Sequence, residues 1–349
     1  MRRAGRKIVL LLLAVVLFSG FCSCTEERKE EVETLRIGVA SYRQDDTFIA
    51  SLCADLEKIG RLKEKETGKK IIIKIEDAKG NQSTQNDQVD KMIAQQYDIL
   101  CINPVDRTVS SLLIDKARKA NIPIIFFNRE PVEEDIYMWS SCYYVGTDAE
   151  QSGVMQGQII VDAYQKDPKK IDKNGDGVIQ YVMLEGEQAH QDSLIRTDSS
   201  IKTVMNSGIK VEKLANATAN WQRTQGMSKM SQWIEQYGDK IEVVFGNNDD
   251  MALGAIDAYR ALGWKDLPVI VGIDGTLPCL QEMRNGAMFG SVVNDAYKQA
   301  EAIFNLSYAL LTGESALGAV DLENYHYVWI PHRIVTRDNV EEELYYLQN

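Results

Sequence analysis

The feature that most restricts how this chain can fold is an alternation of short apolar runs with amphipathic segments, repeated twice along its length. In the first pass, Leu35–Ala40, Lys70–Glu76, Ile99–Asn103 and Ile122–Phe127 read as strands. The apolar spacing between them predicts helices over Ile49–Thr67, Gln88–Gln96 and Ser110–Ala120. The pattern restarts after Gly146-Thr147-Asp148, with strands expected at Val178–Leu184, Ile209–Ala215, Val243–Gly246, Val269–Ile273 and Gly290–Val293. Helices are expected at Glu150–Tyr164, Ile195–Ser207, Gln222–Tyr237, Met251–Leu262, Leu277–Asn285 and Ala296–Leu311, with a last strand near Val328–Ile330. Repeated strand–helix alternation argues for parallel sheets covered on both faces. The 349 residues suffice for two such α/β domains in tandem.

The first residues carry a different signal. Arg2, Arg3, Arg6 and Lys7 precede an apolar run from Ile8 to about Phe21, which is the pattern of a secretory signal over residues 1–23. The run is short for a membrane span. It ends in Ser19-Gly20-Phe21-Cys22-Ser23-Cys24, and a small residue before Cys24 resembles a bacterial lipoprotein cleavage site; the alternative is an ordinary cleaved signal with incidental cysteines. Residues 24–34 are charged and poor in apolar side chains, as in a solvated tether. A lipid on Cys24 would hold the rest at the outer face of a membrane, with no other membrane contact. Losing residues 1–23 takes the net charge from −12 to −16, which disfavours nucleic acid as a partner. The other cysteines, Cys53, Cys101, Cys142 and Cys279, have neither metal-ligand spacing nor a close pair.

In parallel α/β sheets, ligands bind outside the carboxyl ends of the strands. Here those exits carry Asp45-Asp46-Thr47-Phe48, Asn103, Asn128-Arg129-Glu130, Glu187 to Asp192, Asn247-Asn248-Asp249, Asp274 and Asn294-Asp295. Any one such residue also serves as a helix cap or turn former. The stretch around His190 is the most pointed. A helix starting near Asp192 places Asp192 and Arg196 on one face, i to i+4, with His190 just ahead of it. A donor, an acceptor and a fixed cation then converge, which suits a polyhydroxylated ligand. The plainer reading is a helix N-terminus with a surface ion pair. Arg196 is expected to depress the pKa of Asp192.

Asp172-Lys173-Asn174-Gly175-Asp176-Gly177-Val178-Ile179-Gln180 matches an EF-hand loop at positions 1, 3, 5, 6, 7 and 9, with oxygens at alternate residues; the alternative is an Asp/Gly turn with no metal. Position 12 is Met183, so the closing carboxylate must come from elsewhere, and a strand rather than a helix follows.

These residues together resemble the periplasmic glucose/galactose-binding proteins of ATP-driven sugar uptake, from about Leu35 to Pro331. The resemblance rests on Tyr42–Phe48, Gln82–Asp90, Phe126–Pro131, Tyr143–Asp148, the calcium-like loop, the His190/Asp192/Arg196 set, Lys240–Val244, Asn247–Asp249, Gly272–Asp274 and Asn294–Ala296. It implies a type I periplasmic-binding-protein fold: two similar doubly wound parallel-sheet lobes joined by a three-strand hinge. The lobes would be residues 35–146 plus 296–328, and 147–295 plus 329–349. It implies sugar contacts from Asp46, Asn128, His190, Asp192, Arg196, Asn248, Asp274 and Asn294, with Phe48 and Trp221 as aromatic plates on the two faces of the ring. Asp46 would meet O4, where glucose and galactose differ. A structural Ca²⁺ would be held by Asp172, Asn174, Asp176, the Val178 carbonyl, Gln180 and the remote Glu242. The implied partners are D-glucose or D-galactose and the permease and ATPase subunits of an ABC importer, with the chain acting as a monomer and not as an enzyme. Two alternatives stay open at this stage: a sensor subunit presenting bound sugar to a chemoreceptor or kinase, and a glycoside hydrolase using Asp45, Asp46 or Asp192.

Overall fold

The computed structural model describes residues 34–348. The proposed signal, Cys24 and most of the tether lie outside the described residues. Twelve strands are described: β1 (Thr34–Ser41), β2 (Lys70–Asp77), β3 (Ile99–Ile102), β4 (Ile124–Phe127), β5 (Cys142–Gly146), β6 (Val178–Glu185), β7 (Lys210–Thr218), β8 (Val243–Gly246), β9 (Val269–Val271), β10 (Gly290–Val293), β11 (Tyr327–Trp329) and β12 (Arg333–Thr336). The longer helices are α1 (Thr47–Thr67), α2 (Gln82–Ala94), α3 (Ser110–Ala120), α4 (Ala149–Lys166), α5 (Gln191–Asn206), α6 (Arg223–Tyr237), α7 (Asp249–Ala261), α8 (Leu277–Asn285), α9 (Ala296–Thr312) and α10 (Val340–Gln348).

The strands form two six-stranded sheets, ordered β2-β1-β3-β4-β5-β11 and β7-β6-β8-β9-β10-β12. Both follow the doubly wound order in which the second strand lies outside the first. All pairings in the first sheet are parallel; in the second, only β12 runs antiparallel, against β10. The central strands Ile99-Leu-Cys-Ile102, Ile124-Ile-Phe-Phe127 and Val243-Val-Phe-Gly246 are buried throughout, as strands covered on both faces must be. Four apolar clusters fill the two faces of each sheet: Ile37, Val39 and Phe127 face one layer of the first sheet, and Leu100, Ile102 and Phe126 the other. Val182, Val244 and Ile270 face one layer of the second sheet, and Met183, Phe245 and Val271 the other.

The chain passes between the sheets three times. It leaves β5 for α4, which packs on α5 in the second lobe. It leaves β10 for α9, which packs on α1 and against β3, β4 and β5 in the first. It then joins the first sheet as β11 and the second as β12.

Local chemistry sets the ends of these elements. The Asp46 carboxylate accepts from the Ile49 N–H at 3.0 Å and opens α1; Gly68, at φ +71°, closes it by donating to the Glu64 carbonyl. Four elements differ from the sequence expectation. Strand β5 was not anticipated as a strand. Helix α2 begins at Gln82 rather than Gln88, because Asn81 caps it and draws the polar residues 82–87 into its first turns. Strand β12 and helix α10 extend the chain past the expected last strand. They are held by tertiary bonds from Arg333 to Asp295 at 2.7 Å and to Glu343 at 2.7 and 2.8 Å, which local apolar spacing does not encode.

Candidate functional site

A chamber lies between the lobes at the carboxyl ends of both sheets. It is lined by Tyr42, Asp46, Phe48, Ile49, Asn128 and Arg129 from the first lobe, by His190, Asp192, Arg196, Trp221 and Asp274 from the second, and by Asn294 at a crossing between them. Nine of the ten side chains singled out from sequence are in this lining. The tenth, Asn248, is buried beside it: its Oδ1 caps α7 by accepting from Met251 N–H, and its Nδ2 donates to the Trp221 carbonyl at 3.3 Å.

Each side chain is aimed by a second contact. The Asp46 Oδ2 atom accepts from the Tyr42 hydroxyl at 2.5 Å, while Oδ1 caps α1. Asn128 sits just past β4 at φ +60°, a left-handed conformation that asparagine tolerates. Its Oδ1 accepts from Asn103 and its carbonyl from the Tyr144 hydroxyl, leaving the amide nitrogen to donate elsewhere. His190 is the N-cap of α5, and its Nδ1 accepts from the Asp192 N–H at 3.2 Å. Burial, reinforced by Arg129 and Arg196, pushes the imidazole well below its usual pKa, so it is neutral with its proton on Nε2. Arg196, 4% exposed, is fixed from three sides: Ser152 Oγ at 3.2 Å, the Asn247 carbonyl at 3.1 Å and Asp192 at 3.2 Å. Asn294 accepts from Gln299 at 2.6 Å and donates to Asp274 at 3.4 Å.

Trp221 and Phe48 reach the chamber from opposite lobes. The Trp221 backbone is at φ +62°, and its ring stands edge-on to His190 with centroids 5.3 Å apart. A Cβ on Gly186 would fall 2.1 Å from the indole, so only glycine lets the ring lie there. Phe48 serves two roles at once, since it also belongs to the apolar cluster under β1 and β3.

One electrostatic expectation is overturned. Asp192 titrates above the usual carboxylate range, because burial outweighs the pull of Arg196. Asp274 is pushed well up by the same cause. A low pKa for Asp192 is therefore no argument against acid catalysis; that reading is excluded instead by the family relationship below.

Sequence reasoning placed Tyr42 and Arg129 near the site but gave them no role. The Arg129 guanidinium lies 3.7 Å from the Tyr42 ring centre and donates to the Val105 carbonyl. It reaches across the cleft to Glu187 at 2.9 Å. Gln191 donates to Glu130 at 2.5 Å and Thr47 to Asp250 at 2.7 Å, so the two lobes are clasped shut over the chamber. The signal for Arg129 was its position at a strand exit; the clasp needs both lobes in place.

The loop from Asp172 to Gln180 folds around Glu242. The buried Glu242 carboxylate accepts from Lys173, Asn174 and Gln180 backbone N–H groups at 2.7, 3.2 and 3.0 Å. Asn174 donates to Gln180 Oε1, and Gln180 donates to Asp176 Oδ2. Asp172 accepts from the Gly175 and Gly177 N–H groups at 2.7 and 2.9 Å, so the loop's oxygens are held together around its own backbone. Among the described residues no three carboxylate, thiol or imidazole groups converge tightly enough to hold an ion by themselves.

A larger hollow, about 1440 Å³, lies at the other end of the second sheet, near Ile241, Trp264, Val269 and Phe289. It lacks the converging set of fixed amides and carboxylates found in the chamber.

The comparisons agree with this geometry. Residues 37–315 match the periplasmic binding protein domain family. Over 311 residues the chain is 36% identical to the D-galactose/methyl-galactoside binding periplasmic protein MglB of Haemophilus influenzae, covering 88% of this chain and 92% of that one. It is 30% identical over 339 residues to a putative rhizopine-binding protein of Rhizobium meliloti, covering 97% and 98%. Among solved structures, an ABC transporter solute binding protein from Bacillus halodurans with bound myo-inositol superposes with a TM-score of 0.72 at 26% identity, covering 90% of this chain and 98% of that one. The chain therefore belongs to the periplasmic binding protein family: it is an extracytoplasmic, non-enzymatic sugar-binding protein of ABC transport, with the type I architecture of two parallel-sheet α/β domains.

Proposed function

We propose that this protein is the receptor for D-galactose and D-glucose, that its lobes close on one hexose, and that the closed form delivers the sugar to an ABC permease and its ATPase. The observation that carries the reading is the chamber itself: Asp46, Asn128, His190, Asp192, Arg196, Asp274 and Asn294 meet there, with Phe48 and Trp221 arriving from opposite lobes. Flat rings suit the C–H faces of a pyranose, while fixed amides and carboxylates suit the hydroxyls at its edge. A site built to pair hydroxyls discriminates against analogues lacking them, since its buried groups then stay unpaired. Asp46, already braced by Tyr42, has lone pairs left for O4 in either epimer. The similarity to a galactose-binding relative supports this choice over inositol, the ligand named for the structural neighbour.

In this reading the three passages between the sheets act as the hinge, dividing lobes of residues 35–146 plus 296–328 and 147–295 plus 329–349. Cys24 carries the lipid that tethers the receptor, and the receptor acts as a monomer. Asp172, Asn174, Asp176, Val178, Gln180 and Glu242 hold a Ca²⁺ that stabilises the second lobe and takes no part in sugar chemistry. A thermal-shift panel of galactose, glucose, myo-inositol and ribose tests the specificity. The expected result is the largest rise in melting temperature with galactose or glucose. A larger rise with inositol or ribose would overturn the hexose assignment.

A further inference from the structure

Asp274 has an unusual backbone: φ is +128°, in a region that side-chain-bearing residues rarely adopt. The segment from Gly272 to Thr276 must be held in place by something. Its neighbour on the protein side is Asp249, which is fully buried at the first position of α7 and outside the chamber lining. The Asp249 carboxylate accepts from the Thr276 N–H at 2.7 Å and hydroxyl at 3.2 Å, and from the Ser291 hydroxyl at 2.6 Å. Ser291 Oγ in turn accepts from the Gly275 N–H at 3.3 Å. The Asp249 N–H donates to the Ile273 carbonyl at 2.7 Å. A Cβ on Gly272 would lie 2.3 Å from Asp249 Oδ1, so the carboxylate is pressed against that backbone. Asp249 therefore grips the turn directly at 273 and 276, and at 275 through Ser291, bracketing Asp274.

We infer that Asp249 is a positioning residue for ligand binding, which holds Asp274 in its strained conformation so that the Asp274 carboxylate faces the sugar. The grip extends further, because the Asn294 N–H donates to the Asp274 carbonyl at 3.0 Å and its side chain donates to the Asp274 carboxylate. A displaced turn thus misplaces two chamber residues together. Both Asp249 oxygens receive donors; an amide keeps one acceptor for the Thr276 N–H but must donate to Ser291 Oγ, which reverses that bond and loads an oxygen that already accepts from the Gly275 N–H. A role confined to the start of α7 would need neither Ser291 nor the contact at Gly272.

This inference rests on the sugar-receptor reading, and its test separates the two. Calorimetry is run with whichever sugar of the galactose, glucose, myo-inositol and ribose panel binds the wild type most tightly. Asp249→Asn is expected to weaken that binding at least tenfold while circular dichroism shows a folded protein. Ser291→Ala, a milder change that leaves the carboxylate in place, is expected to weaken it about threefold. The deciding readout is a double-mutant cycle with Asp274→Ala: where Asp274 is absent, adding Asp249→Asn should cost less than twofold. Independent, multiplying effects, or wild-type affinity in both Asp249→Asn and Ser291→Ala, would overturn the inference and leave the receptor reading intact. Wild-type protein that binds no sugar of the panel would overturn both.

Discussion

Replacing Arg196 by methionine should expose how much of the second lobe depends on the ligand-facing ion pair. The guanidinium is buried and bonded to Asp192, Ser152 and the Asn247 carbonyl. Removing one partner of a buried pair costs about 3–5 kcal/mol. Burial already raises the pKa of Asp192, so part of the penalty is relieved when the stranded carboxyl takes up a proton. The lower end, about 3 kcal/mol, is therefore expected. With a urea dependence of about 2 kcal/mol per molar, the unfolding midpoint falls by about 1.5 M. Fluorescence reports the transition, since Trp221, Trp233 and Trp264 all lie in the second lobe. The sign of the pH effect follows from the raised folded-state pKa of Asp192: a raised carboxyl favours the native state at low pH and loses that contribution as pH rises through its folded value. The deficit of Arg196→Met should thus shrink between pH 7 and pH 5. Adding Asp192→Leu should restore more than half of it, because paired apolar replacements are often neutral. A loss below about 1 kcal/mol, a deficit that grows on acidification, or a double variant no better than the single one would refute the reasoning.

Three further outcomes follow from the same structure. Thr47→Val removes the inter-lobe bond to Asp250 and should weaken sugar affinity about fivefold, roughly 1 kcal/mol, mainly by faster dissociation in stopped-flow fluorescence; an unchanged rate would count against the clasp. Glu242→Ala strands three backbone N–H groups and should abolish any Ca²⁺-dependent rise in melting temperature that the wild type shows; a wild type indifferent to Ca²⁺ and to chelator would contradict the cation site. His332, buried at the third passage between the sheets, has its pKa lowered to about 3 by burial and by Arg196. The stability it contributes is complete above the unfolded imidazole value of about 6.5 and is lost as pH falls through 6.5 toward 3, about 2 kcal/mol by pH 5. His332→Gln should flatten the fall of the urea midpoint over that range, and an unaltered slope would contradict it.

Much of this was legible before any coordinates, because the strands of a sheet buried on both faces announce themselves as short apolar runs and their exits fall at predictable places. The exits also carried the polar set. Treating each Asp or Asn there as either a cap or a site residue proved a false choice: Asp46 caps α1 with one oxygen and meets Tyr42 in the chamber with the other, and Asn248 caps α7 while bracing Trp221. What stayed hidden depends on distance rather than on local pattern. The clasp of Arg129 on Glu187 joins residues from separate lobes. Strand β12 pairs with β10 and is tied by Arg333 to Asp295 and Glu343, partners that lie outside its own short stretch. The direction of the Asp192 shift could not be read from its spacing to Arg196, since burial, which the spacing does not report, is the larger effect. The strain at Asp274 was equally silent, as nothing in Gly272-Ile273-Asp274-Gly275 requires a positive φ at the aspartate.

The claim on which the rest turns is that two lobes enclose one hexose among these side chains. Calorimetric titration of ligand-stripped protein with D-galactose and with D-glucose tests it most directly. Saturable binding of one sugar per chain, lost in Asp46→Ala and in Trp221→Ala while both variants remain folded, is the predicted result. No heat with either sugar, or binding undisturbed by both substitutions, would contradict it.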